Sequence, residues 1–307
     1  MGRAETLITL AERSSTRRPL HKVAAYPFLK WAGGKTQLLT QFERYFPPKE
    51  RYRKYLEPFV GSGAVFFHLH PTVAHLADNN WELINCYKQI QEQVEAIIEL
   101  LRHHKRLHNK AYYYQIRSLR TADLSHIERA ARLIYLNKTC FNGLYRVNSK
   151  GIFNVPMGRY TNPSILDETG LRLAHRALKG VGLYCMPFDR FCDEFAEQGD
   201  FVYFDPPYFP LSATANFTSY TEDNFDCEDQ VRLRDTFERL DSRGCFVMLS
   251  NSATGKIRNL YKRYRKTIYK VRARRAINSN AKRRRAITEL IILNYNPADM
   301  HVLQNGR

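Results

Sequence analysis

Short apolar runs recur along the chain, and most of them are followed by an amphipathic stretch. Six runs predict buried strands, at residues 55–59, 73–77, 181–186, 201–204, 245–250 and 289–294. Apolar residues at helical spacing predict a helix start within 63–70 and helices at 82–106 and 228–240. Strands that alternate with helices indicate an α/β fold whose sheet is doubly wound, mostly parallel, Rossmann-like and covered on both faces.

The stretch 107–179 interrupts this alternation. Its first part predicts two helices, at 111–120 and 126–138, and its second part, 140–160, contains the glycines, proline and asparagines that suit tight turns. We therefore predict a catalytic domain formed by 25–106 and 180–297, with a helical recognition insert at 107–179 that carries a projecting hairpin. Residues 1–24 are basic and weakly patterned, which favours a flexible N-terminal extension.

The charge of the chain predicts a polyanionic partner. Its 307 residues include 48 Lys and Arg against 30 Asp and Glu, a formal net charge of +18. Between Asn251 and Thr288 there is no acidic residue, and tyrosines are interleaved with the Lys and Arg side chains. A solvated face usually mixes both signs, so this one-signed stretch predicts contacts with phosphate groups that weaken steeply with salt.

The cysteines and the hydropathy exclude several classes of protein. Six cysteines, at 86, 140, 185, 192, 227 and 245, form no CxxC pair and have no histidine at zinc-ligand spacing. We therefore expect reduced thiols, an intracellular protein and no bound metal. The sequence shows no signal peptide and no apolar run near ~18 residues, so we expect no membrane span.

A glycine-rich turn follows the first predicted strand. Gly61 and Gly63 allow a tight turn with close approach of the backbone to a ligand, and Asp78 ends the next strand, where it can accept hydrogen bonds from ribose hydroxyls. This spacing indicates a nucleoside site. The Gly-Gly-Lys-Thr run at 33–36 resembles the end of a P-loop, but Leu29 stands where that motif requires glycine, which disfavours an ATPase.

The most informative motif is Asp205-Pro206-Pro207-Tyr208, directly after the apolar strand 201–204. Two prolines cannot continue a strand, so they fix a rigid turn at its end. The Asp205 carboxylate and the Pro206 carbonyl can both accept hydrogen bonds from an exocyclic amine, and Tyr208 can stack on a base. These four residues are our candidate catalytic set, for an amino group on a planar ring held outside a duplex.

Six stretches extend this motif, in the order FLKWAGGK at 28–35, EPFVGSG at 57–63, ADNN at 77–80, LNKTCFNGLYRVN at 136–148, FNVPMGRY at 153–160 and DPPYFPLSATANF at 205–217. Over about residues 28–295 the chain resembles the Dam-type family of DNA adenine-N6 methyltransferases. The resemblance implies methyl transfer from S-adenosylmethionine to a flipped adenine in double-stranded DNA, within GATC. It also implies a cytoplasmic, DNA-associated protein.

The resemblance assigns two sets of binding residues. The expected cofactor-binding positions are Trp31, Ala32, Gly33, Lys35, Glu57, Pro58, Phe59, Gly61, Gly63, Asp78, Asn79, Asp205 and, beside the cofactor's adenine, Phe188 or Asp189. The expected DNA-binding positions are Lys30, Phe141, Asn142, Leu144, Arg146, Asn148, Pro156, Arg159, Tyr160, Arg272, Arg274, Asn280 and Arg284. Phe141 stands where the family often has tyrosine, so the wedge that fills the gap left by the adenine keeps its ring without a hydroxyl.

Several alternatives stay open from sequence. An RNA adenine or a cytosine-N4 methyltransferase shares the chemistry, although those enzymes usually carry Asn or Ser in place of Asp205. A catalytically silent DNA-binding protein would need neither Lys35 nor Asp78 nor the Asp205 motif. The resemblance is compatible with an enzyme that works alone or beside a restriction endonuclease for the same site, and with a monomer or a weak dimer.

Overall fold

A seven-stranded sheet lies at the centre of the computed structural model, which describes residues 24–208, 225–274 and 286–301. Its strands are β1 (Tyr55–Glu57), β2 (Ala74–Asp78), β3 (Gly182–Cys185), β4 (Phe201–Phe204), β5 (Phe246–Ser252), β6 (Ile268–Arg274) and β7 (Ala286–Leu293). Their order across the sheet is β3-β2-β1-β4-β5-β7-β6. The first five strands are parallel to one another, which confirms the predicted doubly wound, mostly parallel sheet.

The helices are α1 (Leu39–Phe42), α2 (Ala64–Leu69), α3 (Trp81–Leu107), α4 (Lys110–Ser118), α5 (His126–Thr139), α6 (Glu168–Leu178), α7 (Phe188–Phe195), α8 (Cys227–Arg243), α9 (Gly255–Leu260) and α10 (Pro297–His301). Local sequence fixes several of their ends. Ser125 and Asp226 each begin a helix through a capping box. Gly244 ends α8 with a φ of 83°, in the left-handed region that favours glycine.

Both faces of the sheet are buried, as the near-continuous apolar strands require. In β4 the side chains of Phe201 and Tyr203 belong to one hydrophobic core, with helices α2, α3, α5 and α6. Val202 and Phe204 belong to a second core on the opposite face, with α7 and α8. No helix within the described parts of the chain is long and apolar enough to cross a membrane.

The last two strands, β6 and β7, differ from the strands predicted from the sequence. The predicted strand 289–294 overlaps β7, which begins three residues earlier and ends at Leu293. Strand β7 runs antiparallel to both β5 and β6 rather than extending the parallel series. Strand β6 was not predicted, because its alternating Lys270, Val271, Arg272 pattern lies inside the basic stretch that we read as a phosphate surface. Only the inward-facing residue of the three, Val271, is buried.

The insert stretch contains α4, α5 and α6, and its predicted helices are confirmed within a few residues. Helices α5 and α6 pack on α3 and share its core, so buried contacts join the stretch 107–179 to the rest of the fold. The segment after α5 forms a hairpin with two antiparallel bridges, Cys140 to Met157 and Val147 to Phe153.

Candidate active site

The candidate catalytic motif lies where the strand order reverses, between β1 and β4. In open α/β sheets this switch point opens a crevice at the carboxyl ends of the strands. Asp205 follows β4 directly, and its Oδ1 atom lies 2.7 Å from Lys35 Nζ and accepts a hydrogen bond of 2.9 Å from Ser250 Oγ. Burial raises the pKa of Asp205, and the Lys35 and Ser250 contacts oppose that rise. The arrangement keeps a carboxylate at the mouth of the crevice.

Lys35 is held in this pocket by its own turn. Its side chain is only 4% exposed, its Nζ donates to the Gly33 carbonyl at 2.5 Å, and it lies 4.7 Å from the centre of the Tyr208 ring. Gly33 has a φ of 78°, a conformation that L side chains rarely adopt. The structure thus brings Lys35, expected at the cofactor, directly against the carboxylate of Asp205, a candidate catalytic residue.

Tyr208 is fixed by a residue that sequence reasoning missed. Its hydroxyl donates to Glu289 Oε2 at 2.7 Å, and Glu289 lies on β7, 81 residues further along the chain. Burial raises the pKa of Glu289, while Lys35 and the Tyr208 hydrogen bond oppose the rise. A lone carboxylate that opens the apolar run 289–294 was the available signal. Gln230 Nε2 also donates to the Pro207 carbonyl at 3.2 Å, which fixes the turn between β4 and this ring.

The residues predicted to form a nucleoside site lie beside this pocket. Gly61 and Gly63 have φ values of 47° and 68°, and a Cβ atom on Gly63 would come within 2.7 Å of the Tyr87 hydroxyl oxygen. The Asp78 carboxylate accepts hydrogen bonds from the backbone amides of Gly61, at 3.2 Å, and Asn80, at 3.0 Å. Burial raises the pKa of Asp78 to about 6, and both amides oppose the rise. The loop geometry requires glycine and presents a fixed carboxylate.

The other expected cofactor positions surround this loop with aromatic and apolar surface. Trp31 covers Gly61, since a Cβ there would lie 3.0 Å from Trp31 Cδ1. Phe59 stacks on Phe188, with ring centres 5.2 Å apart, and the Asp189 carboxylate lies 3.4 Å from Arg232 Nε. Phe188 is buried and Asp189 half-buried at the start of α7, beyond the end of β3. Glu57 and Pro58 are buried beneath the loop, whereas Ala32, Gly33 and Asn79 are exposed.

The expected base-contacting residues are grouped on the insert hairpin and the segment before Trp31. Phe141 is 48% exposed at a tip where Asn142 has a φ of 56°. Lys30 Nζ lies 4.9 Å from the centre of the Tyr160 ring, and the exposed Arg146 donates from Nε to Asn154 Oδ1 at 2.7 Å. This grouping leaves an exposed ring at the tip and a guanidinium beside it.

The remaining expected DNA contacts differ in their settings. Leu144 is half-buried, Pro156 and Arg159 are exposed, and the Asn148 side chain accepts from the amides of Lys150 and Ile152 at 3.0 Å, which fixes the hairpin turn. Arg272 is exposed on β6. Arg274 is the last residue of that strand. Asn280, Arg284 and the stretch 209–217 lie outside the described residues.

These features define an α/β protein whose sheet carries a glycine-rich loop and a buried carboxylate at its switch point. Within the residues that the structure describes, no group of three or more His, Cys, Asp or Glu side chains could hold a metal ion. The sequence profile of the family described as D12 class N6 adenine-specific DNA methyltransferase matches residues 31–277. The chain belongs to this family.

Named relatives cover nearly the whole of both chains. The Type II methyltransferase M1.LlaDCHI of Lactococcus lactis subsp. cremoris is 48% identical over 281 residues, which is 90% of this chain and 97% of the relative. The Type II methyltransferase M.MjaIII of Methanocaldococcus jannaschii is 44% identical over 294 residues, 88% and 99% of the two chains. The DNA adenine methylase of Escherichia coli is 37% identical over 274 residues, 88% and 95%.

Proposed function

We propose that this chain is a site-specific DNA adenine methyltransferase that transfers a methyl group from S-adenosylmethionine to N6 of a flipped adenine in duplex DNA, within GATC. The observation that supports the proposal is that Asp205 and Tyr208 follow β4 and the glycine loop follows its neighbour β1, at one switch point of the sheet. The names of the relatives support DNA as the substrate. Residues 107–179 are proposed as the target-recognition unit of the discontinuous catalytic domain.

The cofactor-side residues fit a nucleoside. Asp78 ends β2 with its carboxylate fixed by two backbone amides, the geometry that suits acceptance of hydrogen bonds from ribose hydroxyls. The left-handed Gly61 and Gly63 let the backbone approach closely, and Trp31, Phe59 and Phe188 supply apolar surface. When bound, S-adenosylmethionine supplies a methyl group that its sulfonium has already activated.

The chain's own contribution is to make the adenine amine a better nucleophile. Because Lys35 and Ser250 both contact Oδ1 of Asp205, we assign its Oδ2 atom and the Pro206 carbonyl as acceptors for the amino group. Acceptance from N6 favours a more tetrahedral nitrogen and stabilises the positive charge that develops there, a preorganised electrostatic effect. Tyr208 provides the stacking surface that offsets part of the few kcal/mol that flipping costs.

Sequence recognition is assigned to the hairpin. The exposed ring of Phe141 is the wedge for the vacated stack, and the Arg146 guanidinium suits the O6 and N7 acceptors of guanine. We assign Lys30, Leu144, Pro156 and Tyr160 to the same base-reading set and Arg272 to phosphate contacts.

A tritium-transfer assay on an unmethylated GATC duplex, with a scrambled duplex and single-stranded RNA as comparisons, tests the proposal. We expect label on the GATC duplex alone, recovered as N6-methyladenine, and cleavage by methylation-sensitive nucleases should map it to that site. Asp205→Ala should retain duplex binding and lose most of the transfer. Label recovered on cytosine or RNA, or turnover of Asp205→Ala within about tenfold of the wild type, would contradict the assignment.

A further inference from the structure

The hairpin residue Tyr145 contacts the cofactor side of the active site. Its ring stacks on that of Trp31, with centres 5.3 Å apart and planes 23° from parallel. Trp31 in turn lies against the glycine loop, because a Cβ on Gly61 would meet its Cδ1 atom at 3.0 Å. Along the chain, Tyr145 stands between Leu144 and Arg146, two of the residues assigned to base reading. One aromatic contact therefore joins the recognition hairpin to the cofactor loop.

The Tyr145 side chain has a second neighbour on the same side, because Tyr145 and Asn80 line one cavity. Burial raises the pKa of Tyr145 to about 12, and the Asn80 side chain opposes the rise. The Oδ1 atom of Asn80 also caps α3 by accepting from Leu83 N at 3.1 Å, and the Asn80 amide donates to Asp78 at 3.0 Å. Tyr145 thus stacks on the segment before β1 and shares a cavity with the segment after β2, the two segments expected to hold the cofactor.

A buried amide fixes the base of the hairpin to the segment before Trp31. Asn137, 1% exposed on α5, donates from Nδ2 to the carbonyls of Lys30, at 2.7 Å, and Gly143, at 2.9 Å. Its Oδ1 atom accepts from Lys30 N at 2.9 Å. Gly143 lies so close to Lys30 that a Cβ would come within 2.6 Å of the lysine Cδ atom. The loop that carries Phe141 and the Lys30–Trp31 backbone are therefore held as one unit.

We propose that Tyr145 is a positioning residue that couples target recognition by the hairpin to cofactor binding, with Asn137 holding the two segments in register. This inference rests on the proposed function. A base contact that moves Leu144 or Arg146 is transmitted through the Tyr145 ring to Trp31, and cofactor contacts are transmitted in the opposite direction. Because coupling between two binding equilibria is reciprocal, each ligand changes the affinity for the other by the same factor.

The test compares the affinity for S-adenosylhomocysteine, which carries no methyl to transfer, with a GATC duplex, with a scrambled duplex and without DNA. For the full-length wild type we expect the GATC duplex to tighten binding about fivefold or more over the scrambled duplex. Tyr145→Leu should bring this ratio close to one and reduce the GATC preference in methyl transfer. Tyr145→Phe, which keeps the ring, should retain the ratio within about twofold.

Tyr114→Leu is the matched control, because Tyr114 is an exposed tyrosine on α4 of the same insert. Its ratio should equal that of the wild type. If Tyr145→Leu melts far below the wild type, Tyr145→Met replaces it, and loss of the ratio is again expected. A wild-type ratio retained by a folded, ring-less variant would overturn the inference. The failure of the wild type to methylate any duplex would instead refute the proposed function.

Discussion

The Lys35–Asp205 pair allows the sharpest test of the pocket's electrostatics, through Lys35→Met. The variant removes an ammonium whose Nζ lies 2.7 Å from the carboxylate oxygen while preserving apolar volume. At an effective dielectric constant of about 20, two unit charges at that separation attract by about 6 kcal/mol before desolvation is subtracted. Breaking a buried pair by removal of one partner typically costs about 3–5 kcal/mol, because the other charge is left uncompensated.

That cost is converted into a pKa shift, since Asp205 can become neutral by binding a proton. At 1.36 kcal/mol per unit, 3–5 kcal/mol corresponds to about 2–4 units. Burial already raises the pKa of Asp205, and Lys35 opposes the rise. In the proposed mechanism the ionised form of Asp205 is the active one, so activity should be present above this pKa and be lost as the pH falls through it. In Lys35→Met the loss should therefore begin at a pH at least about two units higher.

The assay is single-turnover methyl transfer to a short GATC duplex at saturating cofactor, from pH 5.5 to 9.5. Ser250→Ala is the graded comparison, because it removes a neutral donor to the carboxylate at 2.9 Å. A hydrogen bond to a charged group contributes about 1.5–3 kcal/mol, so the pH at which activity is lost should rise by about one to two units, less than in Lys35→Met. The reasoning is refuted if Lys35→Met weakens cofactor binding but loses activity within about half a pH unit of the wild type. Lys35 would then serve the cofactor alone.

Three further outcomes are expected. Glu289→Gln and Tyr208→Phe should each lower kcat about tenfold, because a hydrogen bond to a charged group contributes about 1.5–3 kcal/mol. The double variant should lose little more activity than either single variant, and additive losses would show that the two side chains act separately. Calorimetric titration should show cofactor affinity falling as the pH drops through about 6, where Asp78 binds a proton. The Asp78→Asn variant should bind the cofactor weakly at every pH. If the affinity of the wild type does not depend on pH, the assignment of Asp78 to the ribose is wrong. Arg146→Ala should cost roughly 1–3 kcal/mol on GATC and relax sequence preference in competition assays, whereas equal weakening on all duplexes would mark a phosphate contact.

The sequence predicted the parallel part of the fold because its strands are buried on both faces and are therefore continuously apolar. Strand β4 was predicted with its observed bounds, and Asp205 and Tyr208 follow it as the motif required. Strand β6 was missed because its exposed residues Lys270 and Arg272 are charged. The high net charge of this stretch hid the alternation of inward-facing and exposed positions that is typical of a strand. Glu289 was missed because its partner is Tyr208, and a contact across 81 residues has no local signature.

The antiparallel direction of β7 explains how that distant carboxylate reaches the pocket. Glu289 lies in the first half of β7 and pairs with Ser252, at the carboxyl end of β5. If β7 were parallel to β5, the residues of its second half would lie at this edge and Glu289 would lie towards the opposite one. The same direction places the pair Arg274 and Ala286 at the edge that carries Asp205. The described part of the acid-free stretch therefore ends, at Arg274, and resumes, at Ala286, at the edge of the sheet that carries the pocket. Phosphate groups that flank a flipped adenine would require positive charge at this edge.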